Sequence, residues 1–397
     1  MVQNHRGKSN KIILFFSIFL VGIGFSIIMP ILPYYAESMG ANAFQLGLLL
    51  TVYALCQFIF APYWGAYSDK VGRKPVLLLG IIGFALTFVF FGLANSWWML
   101  FLARIAGGIL SCAAMPTALA YIADSTSIEE RGASMGLIGA SIGMGMIFGP
   151  VIGGILSKIS MAFPFYFAGL FTLINGLAIF AFLEESLPES KRNKMVKVKR
   201  ASLLNGLFTP LAFILIIMLF TSISESIHHG TFALFIQGKL GFGPYHVGWA
   251  FSSAGLVAVI MQGLVVGKLI NRYGEEKTAI GGLIVMVVGF ILLLNSFSLV
   301  SVIIFMGIFA SGIGLIRPSI NSLVSKQTTK QQGATMGVLQ AYDSLGRAIG
   351  PACGGFLLDI NLSYAYITAI IAATIALSLF IHHHTRNVGL TAECQEN

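Results

Sequence analysis

Charge is what this sequence has least of. Asp, Glu, Lys and Arg make up 10% of its 397 residues, where soluble domains carry about 25%. That shortage excludes a water-soluble fold, because too few charges remain to cover the surface of a chain this long. Cysteine is nearly missing as well. Cys56, Cys112 and Cys353 lie in apolar runs and Cys394 lies in the tail. None has metal-ligand spacing, so neither a metal site nor a disulfide is expected. There is no soluble domain, no nucleotide-binding loop and no nucleophile–base constellation, which argues against an enzyme.

What the chain has instead is apolar length. Hydrophobic residues account for 56% of it, in recurrent stretches of about 20 residues, enough to cross a hydrocarbon core of about 30 Å. Lipid offers no hydrogen-bond partners, so each crossing satisfies its own backbone as a helix. The pattern predicts an all-α polytopic membrane protein with twelve spans at 11–35, 44–66, 75–94, 97–123, 133–157, 163–183, 207–236, 245–267, 277–297, 299–323, 333–357 and 361–381. The first run is longer than a signal-peptide core and lacks a cleavage site after it, so it counts as a span.

The formal net charge of +9 does not point to nucleic acid. Of 24 Lys and Arg, 19 fall on one side of a twelve-span topology; Lys158 and Lys239 lie on the other, and Arg104, Arg317 and Arg347 within spans. By the positive-inside rule both termini and the 184–206 connection are cytoplasmic. That connection carries "KRNKMVKVKR" and reads as a linker that also touches anionic lipid. His382 to His384 flank the last span, where an interfacial role is expected.

The chain is written twice. "GAYSDKVGRK" from Gly65 and "GKLINRYGEEK" from Gly267 stand 202 residues apart; "RGASMG" from Arg131 and "QGATMG" from Gln332 stand 201 apart. "GMIFGPVIGG" from Gly145 recurs 201 residues on as "GRAIGPACGG" from Gly346. Such repeated halves are a feature of transporters, with substrate held near the midplane. The organisation expected is an N-terminal six-helix half over 1–183, a basic linker over 184–206 and a C-terminal half with its tail over 207–397. In the Gly145 stretch, Gly145, Gly149 and Gly153 recur at i, i+4 and i+8 with Gly154 beside them, a smooth face for close helix approach. Pro150 frees the carbonyl of Met146 and invites a bend. The stretch is expected to be a packing and bending surface between the halves, with Arg347 of the copy replacing Met146 inside the groove.

These motifs resemble the major facilitator superfamily over essentially the whole chain. "GAYSDKVGRKP", Gly65 to Pro75, is similar to its signature between helices 2 and 3, and "GPVIGG" to the antiporter motif of helix 5. "GIGFSIIMPILPYY", Gly22 to Tyr35, and "ARIAGG", Ala103 to Gly108, resemble further patterns of the bacterial drug:proton antiporters. The resemblance implies a gating role for Gly65, Asp69, Gly72 and Arg73. Asp69 and Arg73, four residues apart, also suggest a local ion pair. The second copy looks stripped of that chemistry, with Asn271 at the place of Asp69 and Glu276 near that of Arg73.

Ionisable residues inside spans are costly and so point to function. They are Arg104, Glu225, His228, His229, Arg317, Asp343 and Arg347, while Asp124, Asp359 and Glu37 sit at span ends, where solvation is expected. Glu225 is the leading candidate for proton coupling, with His228 and His229 at i+3 and i+4 on a shared face; a structural Glu–His hydrogen bond is the alternative. When ionised it would also attract a cationic substrate, so that proton and drug compete. Gln340, Asp343, Ser344 and Arg347 fall within an arc of about 100°, in which Asp343 and Arg347 form either a structural bridge or a pair that opens on protonation. The resemblance gives Arg104 a part in proton transfer, and it is the expected counter-charge for an acid of the N-terminal half. Arg317, before Pro318, lies nearer a membrane surface and can snorkel, so it ranks lower.

Departures from the family pattern narrow the expectation. The tetracycline exporters carry acids where this chain has Phe19 and Thr87, which argues against metal–tetracycline as the main substrate. Gram-positive multidrug exporters share the helix-7 glutamate but have an aspartate where Gly314 stands here. The 32 Phe and 15 Met suit varied amphipathic molecules, since Met adapts and rings stack on flat cations; lipid-facing and core packing accounts for most of them. The expectation is a bacterial cytoplasmic-membrane antiporter, monomeric in its bilayer. It would export hydrophobic, cationic drugs against protons, with the proton gradient as energy source and no cofactor. An exporter of one metabolite is the alternative, and a membrane-embedded enzyme or sensor a remote one.

Overall fold

The computed structural model describes the backbone of residues 2–126, 128–192, 212–327 and 332–396. Most of the basic linker therefore lies outside the described residues. The first half runs α1 (Val2–Ile27), α2 (Leu32–Ser38), α3 (Ala43–Val71), α4 (Arg73–Gly92), α5 (Trp97–Leu110), α6 (Ala114–Ser125), α7 (Ile128–Leu156) and α8 (Phe163–Phe182). The second runs α9 (Ala212–Leu240), α10 (Pro244–Ile260), α11 (Val266–Tyr273), α12 (Glu275–Leu294), α13 (Leu299–Gln327), α14 (Gln332–Ile360) and α15 (Tyr364–Glu396).

These make the twelve-helix, two-half fold. Among the described residues ten continuous or lightly interrupted helices are long and apolar enough to cross a membrane, and α1 with α2 forms an eleventh span bent by 45°. The remaining long helix, α14, has 29 residues and carries Asp343, Arg347 and Asp359.

Three spans are broken where the sequence suggested continuity. Pro30 and Pro33 of "MPILP" separate α1 from α2, with Pro33 in the first turn of α2, where a missing N–H costs nothing. A 3-10 turn at Ser111–Ala113 joins α5 to α6. A π turn at Met261–Val265 joins α10 to α11. By contrast Pro62, Pro150, Pro318 and Pro351 lie within continuous helices.

Contacts divide the chain into two compact units. One comprises Met1–Asn42, Val52–Lys199 and Phe242–Ser252; the other comprises Ala43–Thr51, Arg200–Gly241 and Ser253–Asn397. In the first, α1 packs along α7 and α4 along α8, around a core that includes Leu14, Ile18, Leu77, Ile81, Tyr121 and Ile179. In the second, α9 packs along α14 and α12 along α13.

The glycine stripe explains the first of these pairings. A Cβ on Gly145 would lie 2.6 Å from the Gly22 backbone, and one on Gly149 only 2.0 Å from Ser26 Oγ. Gly153 meets Ile27 in the same way, at 2.8 Å from its carbonyl oxygen. Gly145, Gly149 and Gly153 therefore seat α7 on α1 inside one unit, while Gly154 and Pro150 of the same stretch meet α10, which the sequence places in the C-terminal half. Ser26 fastens the crossing by donating to the carbonyls of Gly22 and Gly145, both at 2.8 Å. The copy repeats the device: Gly350 would meet Ser226 Oγ at 2.0 Å, and Ser226 donates to the Gly346 carbonyl at 3.0 Å.

A second contact falls on the other side of each motif. Within the first unit Gly154 faces Pro244 and Tyr245, and Gly248 faces the Pro150 carbonyl, where a Cβ would come within 2.4 Å. Within the second unit Gly355 faces Ala43 and Phe44, and Gly47 faces the Pro351 carbonyl at 2.2 Å. Here Asp359, expected to be solvated, accepts from the Ala43 and Phe44 N–H groups at 3.0 and 2.9 Å, satisfying free donors at the start of α3.

Candidate functional site

The second unit gathers four charged side chains from three helices. Arg317 of α13 donates through one nitrogen, Nη2, to Glu225 of α9 at 2.6 Å, and the same nitrogen lies 3.0 Å from Asp343 of α14. Arg347 reaches the other oxygen of Asp343 at 2.8 Å, one turn along α14. Asp343 also accepts from Ser222 Oγ at 2.6 Å and Gln340 Nε2 at 3.0 Å. With its side chain 1% exposed, it has a donor for each of the roughly four lone-pair sites of a carboxylate.

The chemistry follows from the balance. Two acids face two guanidinium groups, so the cluster is neutral when all four are ionised. Buried ion pairs of this kind gain little net stability, but removing one partner costs about 3–5 kcal/mol because it strands a charge. Arg317 thus ties α13 to both α9 and α14 through the two acids, and neutralising either acid would leave one of those ties.

The sequence ranked Arg317 too low. Its side chain is 26% exposed and bound to both acids, so it does not snorkel to a surface. No local spacing could have shown this, because Arg317 and Glu225 stand 92 residues apart. Gly314 has a physical account as well: a Cβ there would stand 2.8 Å from the Met261 Cβ at the π turn. There is no room for an aspartate, and the second acid comes from α14 instead.

The two histidines separate. His229, one turn after Glu225, lies within the electrostatic reach of Glu225, Arg317 and Arg347. His228 does not share the Glu225 face as expected. It is fully buried, with Nδ1 2.9 Å from Tyr366 Oη and its ring against Phe232, Phe290 and Phe309 at 5.0, 5.8 and 4.3 Å. Arg347 also departs from expectation: Gly346 fills the groove against α9, while the Arg347 side chain is 48% exposed on Asp343. Ser344 turns back to the Gln340 carbonyl and does not join the cluster.

In the first unit the helix 2–3 loop forms a tight polar knot. Arg73 pairs with Asp69 at 2.6 Å, as its spacing suggested, and with Asp124 at 2.8 Å, and donates to Ser68 Oγ at 2.6 Å. Asp124 is thus a partner in the knot, not a solvated end group. Glu185 accepts from the Arg73 and Lys74 N–H groups. Gly72 takes φ +116 here, a backbone conformation that demands glycine. Gly65 has open space where a side chain would be.

The second copy has kept an ion pair with its polarity reversed, contrary to the expectation of loss. The 202-residue offset puts Glu275 at the place of Arg73 and Lys326 at that of Asp124, and the two meet at 2.5 Å. Ser322 donates to Glu275 at 2.9 Å. Glu276 instead meets His384, which gives one of the tail histidines a specific partner.

Arg104 stands apart. It is 4% exposed, with Tyr53 and Phe91 ring centroids at 5.1 and 5.3 Å. The expected counter-acid does not appear among the described residues, and Nε has no hydrogen-bond acceptor there. Cation–π contacts contribute about 0.5–2 kcal/mol each, against an effective cost of several kcal/mol for burying an ion. Elsewhere in this unit Phe19, Phe148, Phe167 and Phe171 line an apolar pocket of about 390 Å³. Phe19 thus occupies an apolar wall where the resembled exporters have an acid. Thr87 packs its methyl against Gly107 and bonds its own helix.

Comparison with known proteins agrees with this architecture. The family model described as Major Facilitator Superfamily matches residues 14–224 and 214–392. The chain is 32% identical to multidrug resistance protein 2 of Bacillus subtilis (strain 168) over 378 residues, covering 94% of each protein. It is 31% identical to the class B tetracycline resistance protein of Escherichia coli, covering 94% of this chain and 96% of the relative. Among solved structures, the nucleoside transporter NupG superposes with a TM-score of 0.78 at 13% identity, over 95% of this chain and 99% of the other. That likeness speaks to the fold alone.

Proposed function

The chain belongs to the major facilitator superfamily, in its bacterial drug-exporter branch, and from that premise we propose that it is a proton-coupled antiporter exporting hydrophobic drugs. It is a multi-pass protein of the bacterial cytoplasmic membrane. In the proposal both termini face the cytoplasm, as the distribution of Lys and Arg favours. The observation that carries the proton coupling is Arg317, held by Glu225 and Asp343 through one nitrogen.

Each transport cycle follows from that geometry. A proton taken up on Glu225 or Asp343 breaks one of the two bonds to Arg317, and α9, α13 and α14 are freed to change their packing. Loss of the proton on the cytoplasmic side restores the bonded cluster. Cationic drugs enter the same competition, because a cation displacing Arg317 from Glu225 does the work of a proton there. Arg347 and Gln340 hold Asp343 from its own helix, and His229 stands where it feels the change in charge. The Arg73–Asp69–Asp124 knot and the Glu275–Lys326 pair act as gating contacts, each within its own unit.

The test is dye efflux from energised vesicles of a drug-sensitive host, with and without a protonophore. Wild-type efflux is expected to collapse with the protonophore. Glu225→Gln and Asp343→Asn should each lose at least tenfold in rate. Undiminished, protonophore-sensitive efflux in both variants would remove the basis of the proposal.

A further inference from the structure

We propose that the apolar pocket of the first unit is a phospholipid site, in which one acyl chain lies between α1, α7 and α8 and the phosphate of the same lipid meets Lys158. This rests on the place of the chain in a bilayer and not on what it exports. Phe19 and Ile23 of α1, Phe148 and Ile152 of α7, and Phe167 and Phe171 of α8 surround about 390 Å³. Among the described residues that line this space Thr172 is the only polar one, and none is charged. Such a lining rejects an ion and lacks the two to four polar partners, roughly, that hold a water. An apolar occupant is what fits.

Depth selects which one. α7 ends at Leu156 and α8 begins at Phe163 on the same side of the bundle. Ile152 and Phe167 each stand four residues from those ends, and Phe148 and Phe171 each stand eight. At about 1.5 Å per residue these walls cover a band about 6–12 Å deep. One leaflet of a core about 30 Å thick fills that depth with its tails. The pocket is also continuous with the surface those tails cover. Phe148 and Phe171 are 51 and 40% exposed, and the apolar face of α8 runs on through Leu170 and Ile174, which are exposed as well.

The headgroup level carries the matching charge. Lys158 lies two residues beyond the end of α7, in the turn between the two helices that wall the pocket. It is exposed, with its ammonium 3.7 Å from the Tyr245 ring centroid, and it meets no carboxylate among the described residues. A ring face engages one side of an ammonium, and the N–H groups that remain are donors for a phosphate. In the topology proposed above this is the outer leaflet. Phe148 and Ile152 directly precede Gly149 and Gly153, which seat α7 on α1, so a tail in the pocket packs along the flank of that seam.

The experiment places the purified full chain in nanodiscs with a trace of phosphatidylglycerol whose tail carries a diazirine, and maps the photoadducts by mass spectrometry. A diacylglycerol with the same tails is the probe without a phosphate. In the wild type, phosphatidylglycerol adducts should concentrate on Phe148, Phe167 and Phe171, at least threefold above those of the diacylglycerol. Lys158→Gln should lower that yield at least threefold and leave the diacylglycerol yield unchanged. Leu20→Trp, which fills the pocket from α1, should cut both at least fivefold. Leu177 and Phe180, exposed residues toward the other end of α8, are the reference for lipid that is not bound.

Phosphatidylglycerol adducts no denser in the pocket than at Leu177 and Phe180 overturn the proposal. Equal labelling of the pocket by the two probes overturns it too, because the groove then takes any tail and Lys158 selects nothing. Both comparisons are made in the wild type, so a variant that fails to fold does not suspend the test. Neither reads efflux, so this site and proton-coupled export fail separately.

Discussion

Gly149→Ala is the sharpest perturbation the fold offers. In a helix free of neighbours the change gains up to about 1 kcal/mol. Here the new Cβ would stand 2.0 Å from Ser26 Oγ and 2.9 Å from the Ile23 carbonyl oxygen, where ordinary contact begins at 3.4 Å. Either α7 moves away from α1, or Ser26 rotates and gives up its 2.8 Å bond to the Gly145 carbonyl. Overpacking costs about 1–3 kcal/mol and a lost hydrogen bond about 0.5–1.5. The net expectation is a destabilisation of about 2 kcal/mol, with efflux strongly reduced. Gly149→Leu should insert and be transport-dead. The assay is a melting curve of the purified protein beside dye efflux at matched expression. Gly139→Ala, with nothing within 4 Å of its Cβ, is the control, and Ser26→Ala combined with Gly149→Ala should recover part of the loss. If Gly149→Ala melts and transports like the control, the close seating of α7 on α1 is not what the glycines are for.

Two further outcomes follow from the charges. Arg317→Met should abolish efflux and lower stability by about 3–5 kcal/mol, since it strands an acid. Arg317→Lys should retain part of the activity, and wild-type transport by Arg317→Met would refute the coupling role of Arg317. In the reversed loop pair, Glu275→Lys or Lys326→Glu alone should reduce efflux. The double exchange should restore part of it, because the bond re-forms with reversed polarity while Ser322 loses the carboxylate to which it donates. A double variant no better than either single one would show that the pair's place, and not its bond, matters.

Much of the candidate site was legible as a set of residues and little of it as a set of contacts. Glu225, Asp343 and Arg347 stood out because lipid makes any charge conspicuous, and Asp343 with Arg347 could be paired because four residues is one helical turn. Arg317 is 92 residues from Glu225, and no periodicity reports that separation. His228 and His229 looked alike in sequence, yet about 100° of helix rotation sends one into an aromatic box and leaves the other beside the charges. The same limit hid the exchange of polarity at Glu275 and Lys326. A repeat offset aligns positions but does not tell which pairs touch.

The sequence by itself determined that the chain lives in lipid, that it crosses as helices and that it does so in two related halves. Those conclusions rest on properties summed over about 20 residues at a time: hydropathy, scarcity of charge and the recurrence of glycines at one-turn spacing. Tertiary structure alone decided which face each glycine stripe covers, that two acids hold Arg317, why Gly314 has no room for an acid, and that no acid meets Arg104 among the described residues. Those are matters of helix rotation and depth, fixed by side chains meeting across the bundle within a few tenths of an ångström, and local sequence contains no term for them.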